Sequence, residues 1–341
     1  MSAAATTGTS ATHTERQVLS GFQTLIAMKT PLRAKIKTAP KPLVTTPEWE
    51  CRTYHDPVTT GYIEGVIPAV ADAQNNLGTK TMLKGRFIKL LRHVAVTKEM
   101  KLMGNQYNEA DPMGANIKQA TEEIYVDCEA QLASDDECAV PAAGATASTS
   151  RSIFRWLSNA DGRMTETTTR PDSAYRTPAS HVVVSKAAAA DVTEVDVRGL
   201  ITSVATSRKD DGLRFLGVCT PLMRDRFDDF SRTHTGATTD TREDQAVYRF
   251  AQSQGTVNRE ITLYKSSNGR IELMTSHRLD STVHFGLLTP EHLELGYAQG
   301  VVVNPESSPS AQVSHREIDV IYVLMPRCLN SHGKIITGAT A

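Results

Sequence analysis

The chain has no long hydrophobic run. Its longest strongly apolar stretch, Val320 to Met325, falls far short of the roughly 20 apolar residues that a helix needs to cross a bilayer. A helical membrane span is excluded. Net charge is almost absent as well: 37 Lys plus Arg oppose 38 Asp plus Glu, a formal charge of -1. The chain as a whole therefore carries no field that draws it to nucleic acid or to a membrane surface. Cys51, Cys128, Cys138, Cys219 and Cys328 are odd in number and too widely spread for a disulfide framework or a paired zinc knuckle. They read as buried reduced thiols. The start, Met-Ser-Ala-Ala-Ala-Thr-Thr-Gly, lacks the basic flank and apolar core of a secretory signal, which predicts a cytoplasmic start.

The usual signatures of catalysis are missing too. There is no Gly-x-Ser-x-Gly elbow, no Walker-type phosphate loop and no Gly-x-Gly-x-x-Gly turn. The ten histidines are scattered, and the pairs His277/His284 and His284/His292 are too widely spaced for one helical face. Acidic groups such as Asp135-Asp136-Glu137, Asp210-Asp211 and Asp228-Asp229 are adjacent in sequence, so their carboxylates diverge instead of converging on a substrate. No catalytic residue, no cofactor and no metal ligand is assigned, and the chain is read as a non-enzyme.

What is present is a chain of 341 residues with 40% hydrophobic and 22% charged content, enough for about two lobes, or one lobe with long extensions. Near the start, Lys29, Arg33, Lys35, Lys37 and Lys41 occupy a stretch with no acidic residue. It could meet phosphate or lie on an acidic protein surface, and it lacks the interleaved aromatics that stack on bases. Pro31, Pro40, Pro42 and Pro47 predict an extended arm over 29–47, without helix and without a core of its own. Glu48 to Tyr54 alternates as a half-buried strand with Trp49, Cys51 and Thr53 on one face, and Arg86 to Thr97 reads as a second strand. The two are expected to form a hairpin-like projection joined by a loop-rich segment. Two strands alone are marginal in water, so sister copies should support both arm and projection.

Further on, Asp111-Pro112 opens a long helix over 112–134 with Ile117, Ala120, Ile124, Cys128 and Leu132 on one face. Ile153 to Leu157 is a short apolar anchor. Asp191 with Glu194 reads as a capping-box variant before Val197, Leu200, Ile201 and Val204. Leu213 to Cys219 is a buried strand, Thr220-Pro221 starts a helix with Met223, Phe227 and Phe230 in one stripe, and Gln245 to Gln252 reads as a short helix. Asn268-Gly269 marks a hairpin over 258–276, because both turn positions tolerate positive φ. Glu317 to Met325 is a strand entering a core.

This order of parts resembles the major capsid proteins of tailed bacteriophages with the HK97-type fold, especially the SU10-like branch. The likeness rests on the Glu48-Trp49 strand after a proline-containing arm, the Arg86 to Val96 segment, and the long helix ending Ala-Gln-Leu-Ala. It also rests on Thr220-Pro221-Leu222-Met223, Asn268-Gly269-Arg270-Ile271, Leu287-Leu288-Thr289-Pro290-Glu291-His292-Leu293 and Ser331-His332-Gly333-Lys334-Ile335. The resemblance implies an α+β fold with an N-terminal arm at 1–47, an extended loop at 48–96, a peripheral domain with the spine helix at 97–186, an axial domain at 187–312, and a return to the peripheral domain at 313–341.

By the same likeness the function is that of a self-assembling icosahedral head shell around double-stranded DNA. Its partners would be itself, as hexameric and pentameric capsomers, with a portal, decoration proteins and non-specifically contacted DNA. The short start implies a scaffold on a separate chain. Lys29, Arg33, Lys35, Lys37, Lys41, Trp49, Arg86, Lys89 and Arg92 are the candidate inter-subunit contacts. An encapsulin-like nanocompartment and a nucleic-acid-binding module using the basic arm remain as alternatives.

Overall fold

Proline at position 31 opens a helix instead of forbidding one. In the computed structural model, α1 (Pro31–Lys35) begins on it. At the first helical position the missing N–H has no intrahelical partner to lose, and the ring already holds a helical φ. The structure describes residues 30–42, 44–52, 80–99, 112–142, 145–159, 162–184, 186–210, 212–230, 262–305 and 313–337. The expected helix at 245–252 and the start of the hairpin at 258 lie outside them, as do Lys29 and Asp111.

After β1 (Lys37–Ala39), β2 (Glu48–Arg52) pairs antiparallel with β3 (Lys80–Lys84), with Glu48 opposite Lys84 and Arg52 opposite Lys80. This corrects the expected partner of β2. The strand near 86–97 exists as β4 (Ile88–Thr97), but it belongs to a different sheet. β3 escaped notice because lysines bound it and only Leu83 is buried along its length.

The remaining long elements follow the sequence periodicities. α2 (Pro112–Ala133) buries Ala120, Ile124, Cys128 and Leu132 of the expected stripe and leaves Ile117 half-buried. α3 (Ile153–Trp156) is a single buried turn capped by Ser152. Then come β5 (Val182–Val183), α4 (Glu194–Arg208), β6 (Leu213–Cys219) and α5 (Pro221–Phe230). They are followed by β7 (Leu263–Ser266), β8 (Gly269–Thr275), β9 (Val283–Leu288), β10 (Leu293–Asn304), β11 (Val313–Pro326) and β12 (Gly333–Ile336).

Two local expectations shift. The capping box of α4 is Thr193 with Asp196: the Asp196 carboxylate accepts from Thr193 N at 2.8 Å, and the Thr193 hydroxyl accepts from Asp196 N at 3.4 Å. Asp191 instead closes a preceding 3-10 turn by accepting from Ala188 N at 2.9 Å. In the β7–β8 hairpin, Ser266 is opposite Gly269, so Ser267 and Asn268 make the turn and Gly269 lies in the strand. Positive φ is not its purpose. A Cβ there would lie 2.9 Å from the Phe215 ring and 3.0 Å from the Leu213 carbonyl, so the glycine admits close packing.

The strands form a four-stranded sheet, β1-β10-β11-β4, and a six-stranded sheet, β5-β12-β9-β6-β8-β7, beside the two-stranded β2–β3 sheet. The described residues divide into two compact units. One draws on Leu90–Val126 and Val301–Val320; the other draws on Thr30–Lys89, Asp127–Gly300 and Ile321–Ala341.

In the first unit, Arg92 meets Glu123 at 3.4 Å and His93 meets Glu317 at 3.6 Å, while Val94, Val96, Ile124 and Ile318 are buried. The second contains the main core. There Val197, Leu200, Ile201 and Val204 of α4 join Phe215, Ile271, Phe285 and Ile335 of the six-stranded sheet and Phe227 of α5. The Phe227 ring packs at 5.4 Å from both Phe230 and Phe285, centroid to centroid. No helix among the described residues is long and apolar enough to cross a membrane.

Candidate functional site

The strap is fastened to its own subunit by a buried carboxylate. Glu129, on α2, accepts from Leu32 N at 2.9 Å and from Arg33 N at 2.8 Å. Those amides are among the N-terminal donors that a helix leaves unbonded, and the end of a helix favours negative charge. Burial pushes the Glu129 carboxyl up from its ordinary value, and the two amides pull against that shift. Leu32, Ile36 and Ala39 are buried, and β1 runs parallel to β10 with Lys37 opposite Glu294. The expectation of an arm without a core of its own therefore does not hold for the described part of the strap.

The basic residues divide accordingly. Arg33 donates from Nε to the Tyr297 hydroxyl at 3.1 Å. Lys35 pairs with Glu272 at 2.7 Å, with both side chains exposed, a geometry that contributes little in water. Lys37 and Lys41 are exposed on the strap.

Trp49 anchors the β2–β3 hairpin. Its Nε1 donates to the Pro326 carbonyl at 2.7 Å, and its ring meets Trp156 edge-on at 6.0 Å. Gly85 makes room for it, since a Cβ there would lie 3.1 Å from the indole and 2.8 Å from Val323. Trp49 is thus engaged within its own subunit.

The opposite face of the hairpin is a charged ladder. Lys84 meets Glu48 at 2.9 Å, and Arg52 and Lys80 meet Glu50 at 2.6 and 3.8 Å. Met82 lies exposed among them. Arg86 pairs with Glu166 at 3.4 Å. Together with Lys89, Pro42, Val44 and Phe87 it lines a cavity of about 610 Å³, which brings the end of the strap and the segment after β3 to one place. Arg92 lies in the other unit, paired with Glu123.

Behind the hairpin is a polar network that sequence reasoning missed. Arg151 is almost fully buried. It donates from Nε to Glu137 at 2.8 Å and from Nη1 to the Thr169 carbonyl at 3.1 Å, and its guanidinium stands 4.5 Å from the Trp156 ring. Burial raises the Glu166 carboxyl, but donors on Thr169 and Thr168 outweigh it and bring the group down to about 2.

Lys334 is also fully buried, donating to the Phe154 carbonyl at 2.7 Å and to Ser158 at 3.1 Å; burial holds it well below the ordinary lysine value. His332 is neutral, since burial pushes it down to about 3, and its Nδ1 accepts from Thr289 N at 3.0 Å. These groups hold loops and strand ends together. Among the described residues, no cluster of His, Cys, Asp and Glu could hold a metal ion.

Residues 5–322 match the family model of the SU10 major capsid protein. The chain belongs to that family. A major capsid protein is a structural subunit of the virion shell and not an enzyme. The fold agrees. The capsid structure of cyanophage P-SCSP1u is 10% identical with a TM-score of 0.60, over 94% of this chain and 91% of that one. The capsid of the native GTA particle is 7% identical with a TM-score of 0.58, over 96% and 99%. The capsid asymmetric unit of cyanophage A-1(L) is 13% identical with a TM-score of 0.55, over 93% and 94%. At these identities the likeness is one of fold, of the HK97 type. No curated protein matches the chain.

Proposed function

We propose that this major capsid protein assembles as hexameric and pentameric capsomers into a closed icosahedral head around the double-stranded DNA of a tailed phage. The observation that carries this reading is the β2–β3 hairpin. It is a two-stranded sheet fixed at its base by Trp49, with a charged face whose side chains are exposed. Within a shell, that face and exposed Met82 would meet an adjacent copy. Repeated modest contacts in a closed symmetric assembly reinforce one another through effective concentration. Lys37, Lys41 and Lys89 are the basic residues we assign to inter-subunit contacts, while Arg33 and Trp49 prepare those surfaces from inside the subunit.

The domain reading follows with adjusted membership. The arm ends near 47, the extended loop is the segment rooted in β2 and β3, and the peripheral domain carries α2 and the four-stranded sheet. We place β5 and β12 with the axial domain, because they are hydrogen-bonded into its six-stranded sheet. Portal, scaffold and decoration proteins, together with non-specifically held DNA, complete the proposed partners. Sedimentation of the purified chain tests the assembly step: capsomers or closed particles are expected, and a monodisperse monomer at high concentration would overturn it.

A further inference from the structure

Three histidines are tied with the last turn of α4 into one closed circuit of hydrogen bonds. His181, just before β5, donates from Nδ1 to the His332 carbonyl at 3.1 Å, and its Nε2 accepts from the Ser207 hydroxyl of α4 at 2.8 Å. His332, just before β12, accepts at Nδ1 from Thr289 N at 3.0 Å. In the turn between β9 and β10, the Thr289 carbonyl accepts from His292 N at 3.0 Å. His292 closes the circuit, its Nε2 accepting from Arg208 Nη1 at 3.2 Å at the end of α4. All of these residues belong to the second compact unit.

Two of the three imidazoles have no freedom in where they carry their proton. A backbone N–H and a guanidinium only donate, so His332 Nδ1 and His292 Nε2 are both held as bare acceptors. A proton on either nitrogen replaces a hydrogen bond by two opposed donors and sets a positive charge among others. Arg208, His292 and His181 face His332, while Arg208, Lys37 and Glu291 face His292. Asp210 lies 4.0 Å from Arg208, and the Cys328 thiol also faces that guanidinium. The Nε2 of His332 is buried and has no hydrogen-bond partner, so no acceptor there offsets an added charge. His181 differs: once protonated, its Nε2 can donate to the Ser203 carbonyl at 3.1 Å.

We propose that this circuit is a proton-operated latch, which fastens the end of α4 to the segments before β5, β10 and β12 at neutral pH and releases them in mild acid. Burial lowers all three imidazoles, His332 to about 3, and Arg208 adds to the fall at His292. A histidine whose folded value lies below its ordinary 6.5 contributes stability that is fully present above 6.5 and is lost as pH falls. The released state takes up protons that the closed state refuses, so acid drives the opening. In a shell, acid would loosen each subunit from within, a consequence that rests on the shell reading; the latch itself lies within one chain and does not.

The test is hydrogen exchange of the purified full-length chain, read by mass spectrometry from about pH 7.5 to about 5.5 and corrected for intrinsic exchange. The opening equilibrium of peptides spanning 289–292 and 331–335 should rise about tenfold per pH unit for each imidazole that takes up a proton, while β6 stays closed. In the double variant His292→Gln with His332→Asn, side-chain oxygens take the two acceptor places and do not titrate, so the rise should shrink to the share of His181. His292→Gln alone, at a half-buried position, should remove about one tenfold step per pH unit. A flat wild-type profile, an equal rise at β6, or a profile as steep in either variant as in the wild type would overturn the latch. Particle formation is scored separately by electron microscopy. A working latch in a chain that forms no particle would therefore uphold the proposal while refuting the shell reading.

Discussion

Replacing Trp49 by alanine should remove a buried indole, its edge contact with Trp156 and its bond to the Pro326 carbonyl. The expected loss is about 3–5 kcal/mol of subunit stability by denaturant unfolding. Trp49→Phe should lose about 1–3 kcal/mol, mainly from an unsatisfied carbonyl.

Glu166 gives a pH signature. Its folded value is about 2 against an ordinary 4.5, so its contribution is fully present above pH 4.5 and is lost as pH falls towards 2. The fall in unfolding free energy across that window should be shallower in Glu166→Gln, and an unchanged slope would contradict the assignment. At this scale the sequence told little. Trp49 was legible as an inward strand residue, but nothing local revealed a partner at Pro326. Nothing local in the sequence marks Glu129, Arg151 or Lys334 as buried, because burial of a charge depends on partners brought from distant segments.

Among the elements, the strap depends on the Glu129 clamp. Glu129→Ala should leave two helix amides without acceptors and speed hydrogen exchange at Leu32, Arg33 and Ile36, with little change at the core amides of β6. Gly269→Ala should cost about 1–3 kcal/mol by forcing Phe215 aside.

The long α2 helix and strand β6 could be read directly, because hydrophobic periodicity over many residues averages out local exceptions. The β2 partner and the β7–β8 turn could not. Pairing is a choice between distant segments, and a glycine needed for close packing against Phe215 looks the same in sequence as one needed for a turn. Pro31 was misjudged for a related reason: its meaning depends on whether it stands first in a helix or inside one.

For the whole molecule, the α+β capsid architecture was legible from the order of parts, while the way the strap engages its own subunit was not. The described part of the strap buries Leu32, Ile36 and Ala39 without help from a second copy. The most direct test is an electron cryo-microscopy reconstruction of the assembled protein. The account predicts an icosahedral shell in which residues 30–42 lie on their own subunit and the charged face of the β2–β3 hairpin rests against an adjacent one. A shell whose hairpins face only solvent, or purified protein that never forms capsomers, would contradict it.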